Sequence, residues 1–209
     1  DSHVEAGTTD TPIVVRLKND GNYSYNVTIR DYGTGLSKEQ FENLFCKIGS
    51  STKRESNAYH GCFGLGHLSP LAVSKVCYIN SYYDGIARLY IMTKDGNNIT
   101  TNLMSEMPTT ENNGIEVTVK NVDRSAYEKA FKNLAFFPNV YIESKLKGYY
   151  YSAVEEYNNT KIKSFNNFSY CDKISNHYIL LGNVLYPLDI DKLDKKYKEL
   201  LSLLMSRYY

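Results

Sequence analysis

From Val76 to Val119 the chain keeps the two-residue period of β-strands and is interrupted by turn signals. Val76–Tyr83 and Ile86–Thr93 flank Asp84-Gly85, a dipeptide suited to a two-residue hairpin whose central positions both need positive φ. Asp95-Gly96-Asn97-Asn98 reverses the chain again into Ile99–Met104, and Gly114 opens a further strand over Ile115–Val119. Strands joined by turns this short pair antiparallel, because a parallel pair needs a crossover of about a dozen residues or more. The middle of the chain is therefore an antiparallel meander.

The segments before it are mixed. Ile13–Lys18 and the alternating Tyr25–Arg30 read as strands joined by the turn Asn19-Asp20-Gly21-Asn22. Ser37-Lys38-Glu39-Gln40 is a capping box, with Phe41, Leu44, Phe45 and Ile48 following at helical spacing and Gly49 as the stop. Ser50–Tyr59 is polar and aperiodic, a loop, and Ser69–Ser74 suits a short helix. Helices that cover one sheet predict an α+β two-layer sandwich. At the start, Asp1–Gly7 reads as the last turns of a helix with Gly7 as its left-handed terminator, so the expectation is that the chain is a fragment whose helix begins earlier.

The pattern changes after residue 122, which suggests a domain over 1–122 and the start of a second α+β domain over 123–209. Tyr127, Ala130, Phe131 and Leu134 line one helical face, and Gly182-Asn183 joins the hairpin strands Tyr178–Leu181 and Val184–Tyr186. Asp191 is the expected cap of a last helix with Leu193, Tyr197, Leu200, Leu201 and Leu204 on one side, most simply a core face.

Composition narrows the function classes. With 24 basic and 23 acidic residues the net charge is +1, which does not make a domain-wide basic surface for duplex nucleic acid. No apolar run approaches the ~20 residues of a membrane span. The four cysteines form no C-x-x-C pair, so neither a zinc site nor a disulfide framework is expected, and the cytoplasm is the expected compartment.

Three segments carry chemistry. Asp31-Tyr32-Gly33-Thr34-Gly35 follows a strand directly, so its carboxylate can be aimed into a cleft while the glycines allow close approach of a flat ligand. An ordinary turn uses the same residues. Gly49-Ser50-Ser51-Thr52-Lys53-Arg54 offers hydroxyls and two cations to phosphate oxygens, or is a solvated loop. Gly61-Cys62-Phe63-Gly64-Leu65-Gly66 before a helix is a phosphate cradle by type, or a glycine hinge. It lacks the G-K-[ST] of a P-loop and the spacing of a dinucleotide fingerprint.

The order of these segments, followed by the meander, resembles the GHKL ATPases, which share the Bergerat fold, over roughly Asp1–Val122. Ile29–Ser37, Ile48–Arg54, Gly64–Gly66 through Ser69-Pro70, and Asn80–Gly85 resemble the bacteriophage rIIA-like (rapid-lysis, lysis-inhibition) branch, with a weaker similarity at Leu181–Pro187. The resemblance implies ATP with Mg²⁺ as cofactors and hydrolysis that drives a conformational change in the complete protein. Asp31 would accept from the adenine amino group, and Gly33 and Gly35 would give the base room. Ser51, Thr52 and Lys53 would belong to a lid, while Gly61, Phe63, Gly64, Leu65 and Gly66 would form the phosphate segment. The family's general-base glutamate and Mg²⁺-holding asparagine would both lie before Asp1, so no catalytic or metal residue is expected within this chain. The threonine that the family often carries after the glycine opening a late strand is Ile115 here. Other readings of the resemblance are a non-catalytic nucleotide-binding interaction module and a piece of a type II topoisomerase-like or MutL-like ATPase. A homodimer, or a phage or host protein, would be the protein partner, in the host cytoplasm if the chain is phage-encoded.

Overall fold

Gly7 (φ +67°) ends the first helix, α1 (Ser2–Ala6), as a left-handed cap. Its amide donates to the Val4 carbonyl at 3.2 Å and that of Thr8 to the His3 carbonyl at 2.9 Å, which satisfies the last turn. The computed structural model describes residues 2–19, 24–45, 66–96, 98–123, 140–144, 162–165, 168–171, 178–181 and 184–206. They fall in two compact units, Asp1–Asn158 and Asn159–Tyr209.

The first unit is built on a seven-stranded sheet. Its strands are β1 (Ile13–Asn19), β2 (Ser24–Arg30), β3 (Val76–Tyr83), β4 (Ile86–Asp95), β5 (Asn98–Pro108), β6 (Gly114–Asp123) and β7 (Val140–Ser144). They lie in the order β5-β4-β3-β6-β2-β1-β7. Every pair is antiparallel except β1 with β7. The meander stands as its turns dictate: Asp84 (φ +51°) and Gly85 (φ +70°) make the two-residue hairpin between β3 and β4. β5 and β6 run longer than the apolar alternation alone marks, and β7 joins the sheet from beyond residue 122.

Alternation gives the sheet two unlike faces. On one, Cys77, Ile79, Tyr90, Met92 and Val119 are buried beneath Phe41 and Leu71, which come from the helical segments. Phe41 is fully buried, its ring stacked on Tyr90 at 3.7 Å between centroids. The helix that carries it, α2 (Lys38–Gln40), starts with the expected capping box: Ser37 Oγ accepts from the Gln40 amide, and Gln40 Oε1 from that of Ser37. It widens to π-helical turns over Phe41–Phe45; the expected continuation to Ile48 lies outside the described residues. Gly66–Ala72 is a 3₁₀ helix, where a short helix was expected over Ser69–Ser74, with Pro70 inside it. The opposite face is polar: Arg16 pairs with Glu116 (3.0 Å) and Glu143 (3.1 Å), and Thr28 bonds Thr118 across β2 and β6.

The second unit holds the hairpins β8 (Ile162–Phe165) with β9 (Phe168–Cys171) and β10 (Tyr178–Leu181) with β11 (Val184–Pro187), then α3 (Lys195–Ser206). Asp191 does not cap α3. Asp189 caps a 3₁₀ turn over Ile190–Lys192, and the first turn of α3 bonds the Asp194 carbonyl instead. Tyr197, Leu200 and Leu203 are exposed on α3. The helix expected at Ser125–Leu134 lies outside the described residues. Among the described residues no helix is long and apolar enough to cross a membrane.

Two outcomes follow from this core. Phe41→Ala removes a fully buried aromatic and should destabilise the domain by about 3–5 kcal/mol in urea unfolding; a loss under about 1 kcal/mol would contradict the packing. Burial pushes the Cys77 thiol from its ordinary 9.0 up to about 11. Its raised folded pKa means that its contribution is intact below about pH 9 and is lost as pH rises through 11. Wild type should therefore lose more stability over that window than Cys77→Ala, and parallel alkaline curves for the two proteins would refute it.

Candidate functional site

The site begins where β2 ends. Asp31 extends the ladder by one residue: its amide donates to the Ile115 carbonyl at 2.9 Å. Its carboxylate then turns back, and Oδ1 accepts from the amides of Gly33 (2.9 Å) and Ile115 (3.2 Å). Asp31 thus closes a local turn and ties that turn to the first residues of β6. Both bonds fall on Oδ1, and among the described residues none falls on Oδ2.

Glycine is needed twice in this contact. Gly35 (φ +69°) lies so close to β3 that an added Cβ would stand 2.1 Å from the Tyr82 carbonyl oxygen. Gly114 (φ +138°) opens β6 where a Cβ would meet the Asp31 carbonyl oxygen at 2.2 Å. Between them, the buried Ser81 holds both polar groups of Leu36: its hydroxyl donates to the Leu36 carbonyl (2.7 Å) and accepts from the Leu36 amide (3.1 Å).

α1 is stapled to the same turn. The Tyr32 amide donates to His3 Nε2 at 3.0 Å, so His3 carries its proton on Nδ1, which donates to the Thr8 carbonyl at 3.0 Å. Thr8 Oγ1 donates to the Tyr32 carbonyl at 2.7 Å. Burial pushes the Tyr82 phenol up, Glu116 adds to the rise and Arg30 opposes it.

These contacts frame a cavity of about 1150 Å³. Asp31, Gly33 and Gly35 line one wall, α1 another with Glu5, and the Glu111–Asn113 loop a third, with Ile115 at its base. The three residues expected at the adenine end of the site are therefore brought together. Gly66, exposed at the head of its 3₁₀ turn, is not among the cavity's lining residues. Ser51, Thr52, Lys53, Gly61, Phe63, Gly64 and Leu65 lie outside the described residues. The sequence reading missed His3, Thr8 and Ser81, whose partners lie 5 to 45 residues away. Only the position of Thr8 directly after a helix-ending glycine offered a signal.

Residues 3–128 match the family of histidine kinase-, DNA gyrase B-, and HSP90-like ATPases. The match spans well over half of the chain, and the chain belongs to that family. Its mixed sheet with few helices is the Bergerat-type α+β fold of those ATPases. A search of curated proteins found no match.

Gly7 and Gly35 share the same φ and differ only in space, since nothing lies within 4 Å of a Cβ at Gly7. Gly7→Ala should cost about 1 kcal/mol of stability and Gly35→Ala about 3 kcal/mol or more. Equal losses in thermal unfolding would contradict the close approach of the turn to β3.

Proposed function

We propose that this domain binds an adenine nucleotide in the cavity beside Asp31–Gly35. The observation that carries the reading is the division of labour within one carboxylate. Oδ1 is held by two amides, no described residue bonds Oδ2, and Asp31 lines a cavity large enough for a nucleotide. A fixed acceptor of this kind suits the exocyclic amino group of adenine, because its orientation is set before the ligand arrives. Gly35 lets the turn that carries Asp31 close on β3, and Gly33 lets it close on α1, where a Cβ would meet the Ser2 side chain. Family membership supports the same ligand.

Mg²⁺ enters this reading with the triphosphate. Among the described residues no group of three His, Cys, Asp or Glu side chains could hold a metal ion. In the complete protein the nucleotide cycle would drive a conformational change, with Ser51, Thr52 and Lys53 in the lid and Gly61, Phe63, Gly64, Leu65 and Gly66 at the phosphates. The motifs at Ile29–Ser37 and Asn80–Gly85 support a phage rIIA-like member of the family. Turnover of ATP by the complete protein separates an ATPase from a module that nucleotide merely orders.

Calorimetric titration tests the binding claim. Asp31→Ala removes the acceptor and strands two amides, so ATP affinity should fall by about 2–3 kcal/mol, roughly 30- to 150-fold. Equal affinity in the two proteins would remove Asp31 from the site.

A further inference from the structure

Arg30, the last residue of β2, is 2% exposed. A buried guanidinium is costly unless its donors are met, and this one gives its hydrogen bonds to main-chain carbonyls. Nη1 donates to the carbonyl of Asp31 and Nη2 to that of Asn112. Its plane lies against two rings, 4.6 Å from the centroid of Tyr32 and 4.3 Å from that of Tyr82. Glu116, its cross-strand neighbour, is engaged by Arg16 and Asn80. Gly114 leaves the space that the guanidinium fills, since a Cβ there would meet Arg30 Nη1 at 2.3 Å.

The two carbonyls belong to different walls of the cavity. Asp31 is on the turn after β2, and Asn112 is on the loop that leads into β6. We propose that Arg30 is a positioning residue that locks these two walls in register and so aims the Asp31 carboxylate at the base of a bound nucleotide. The proposal rests on the nucleotide reading given above. Arginine suits the task because its rigid fork reaches two acceptors at once while its flat face packs between rings. Lysine, a single point of charge, can hold one carbonyl and leaves the other wall untied.

The test compares wild type, Arg30→Lys and Arg30→Gln in two measurements. The first is the affinity for ATP and for inosine triphosphate, which lacks the amino group that Asp31 would read. Wild type should prefer ATP. Arg30→Lys should lose about tenfold in ATP affinity and keep its inosine triphosphate affinity within about twofold, so that the preference collapses. The second is hydrogen exchange at the Gly33 and Ile115 amides without nucleotide, which should quicken in the variants because both amides depend on the placement of Asp31. Affinities for both nucleotides that fall together would overturn the proposal, as would unchanged protection of those amides. Should Arg30→Gln not fold, Arg30→Lys keeps the charge and carries the comparison. Wild type that binds neither nucleotide would sink the nucleotide reading, and the exchange measurement would still decide whether Arg30 sets the position of Asp31.

Discussion

The end of β2 is held against the start of β6 more closely than side chains allow, and the cavity is a consequence. Asp31 exchanges main-chain and carboxylate bonds with Ile115, and Gly114 lets the two backbones approach. This contact ends the ladder and throws the following turn outward. Gly35 then brings the turn down onto β3, where Ser81 takes both polar groups of Leu36. Each step removes a freedom that the next step needs removed. The carboxylate that results is not free to search for a partner: Oδ1 is held by two amides, and no described residue bonds Oδ2.

The sheet's two faces serve different ends. The face under Phe41 and Leu71 is apolar and supplies the burial that stabilises the unit. The opposite face carries Arg16, Glu116, Glu143 and Asn80 in a chain of ion pairs and hydrogen bonds, and Arg30 continues that polar face to the edge of the cavity. Half-exposed pairs such as Arg16 with Glu143 contribute little to stability. They tie β1 to its neighbour β7 and reach across β2 to β6 on that face.

Much of this was legible because it is local. The Asp84-Gly85 hairpin, the capping box at Ser37 and the αL end at Gly7 are set by residues within a few positions of one another. The D-x-G-x-G segment marked its own place at the strand end. What the sequence concealed is long-range. Nothing near His3 foretells that its ring will accept from Tyr32, and nothing near Ser81 foretells Leu36. Arg30 reads as the polar end of an alternating strand, where exposure is the ordinary outcome. It is buried because two rings and two carbonyls from separate segments converge on it. The last helix was misplaced for the opposite reason: Asp189 makes a tighter local turn, which delays α3 to Lys195.

A crystal structure of the complex with a non-hydrolysable ATP analogue and Mg²⁺ shows most directly where the base sits. The predicted result is the exocyclic amino nitrogen of adenine about 3 Å from Asp31 Oδ2, with Oδ1 still bonded to Gly33 and Ile115. An analogue bound elsewhere, or one in this cavity whose base leaves Asp31 Oδ2 untouched, would contradict the account.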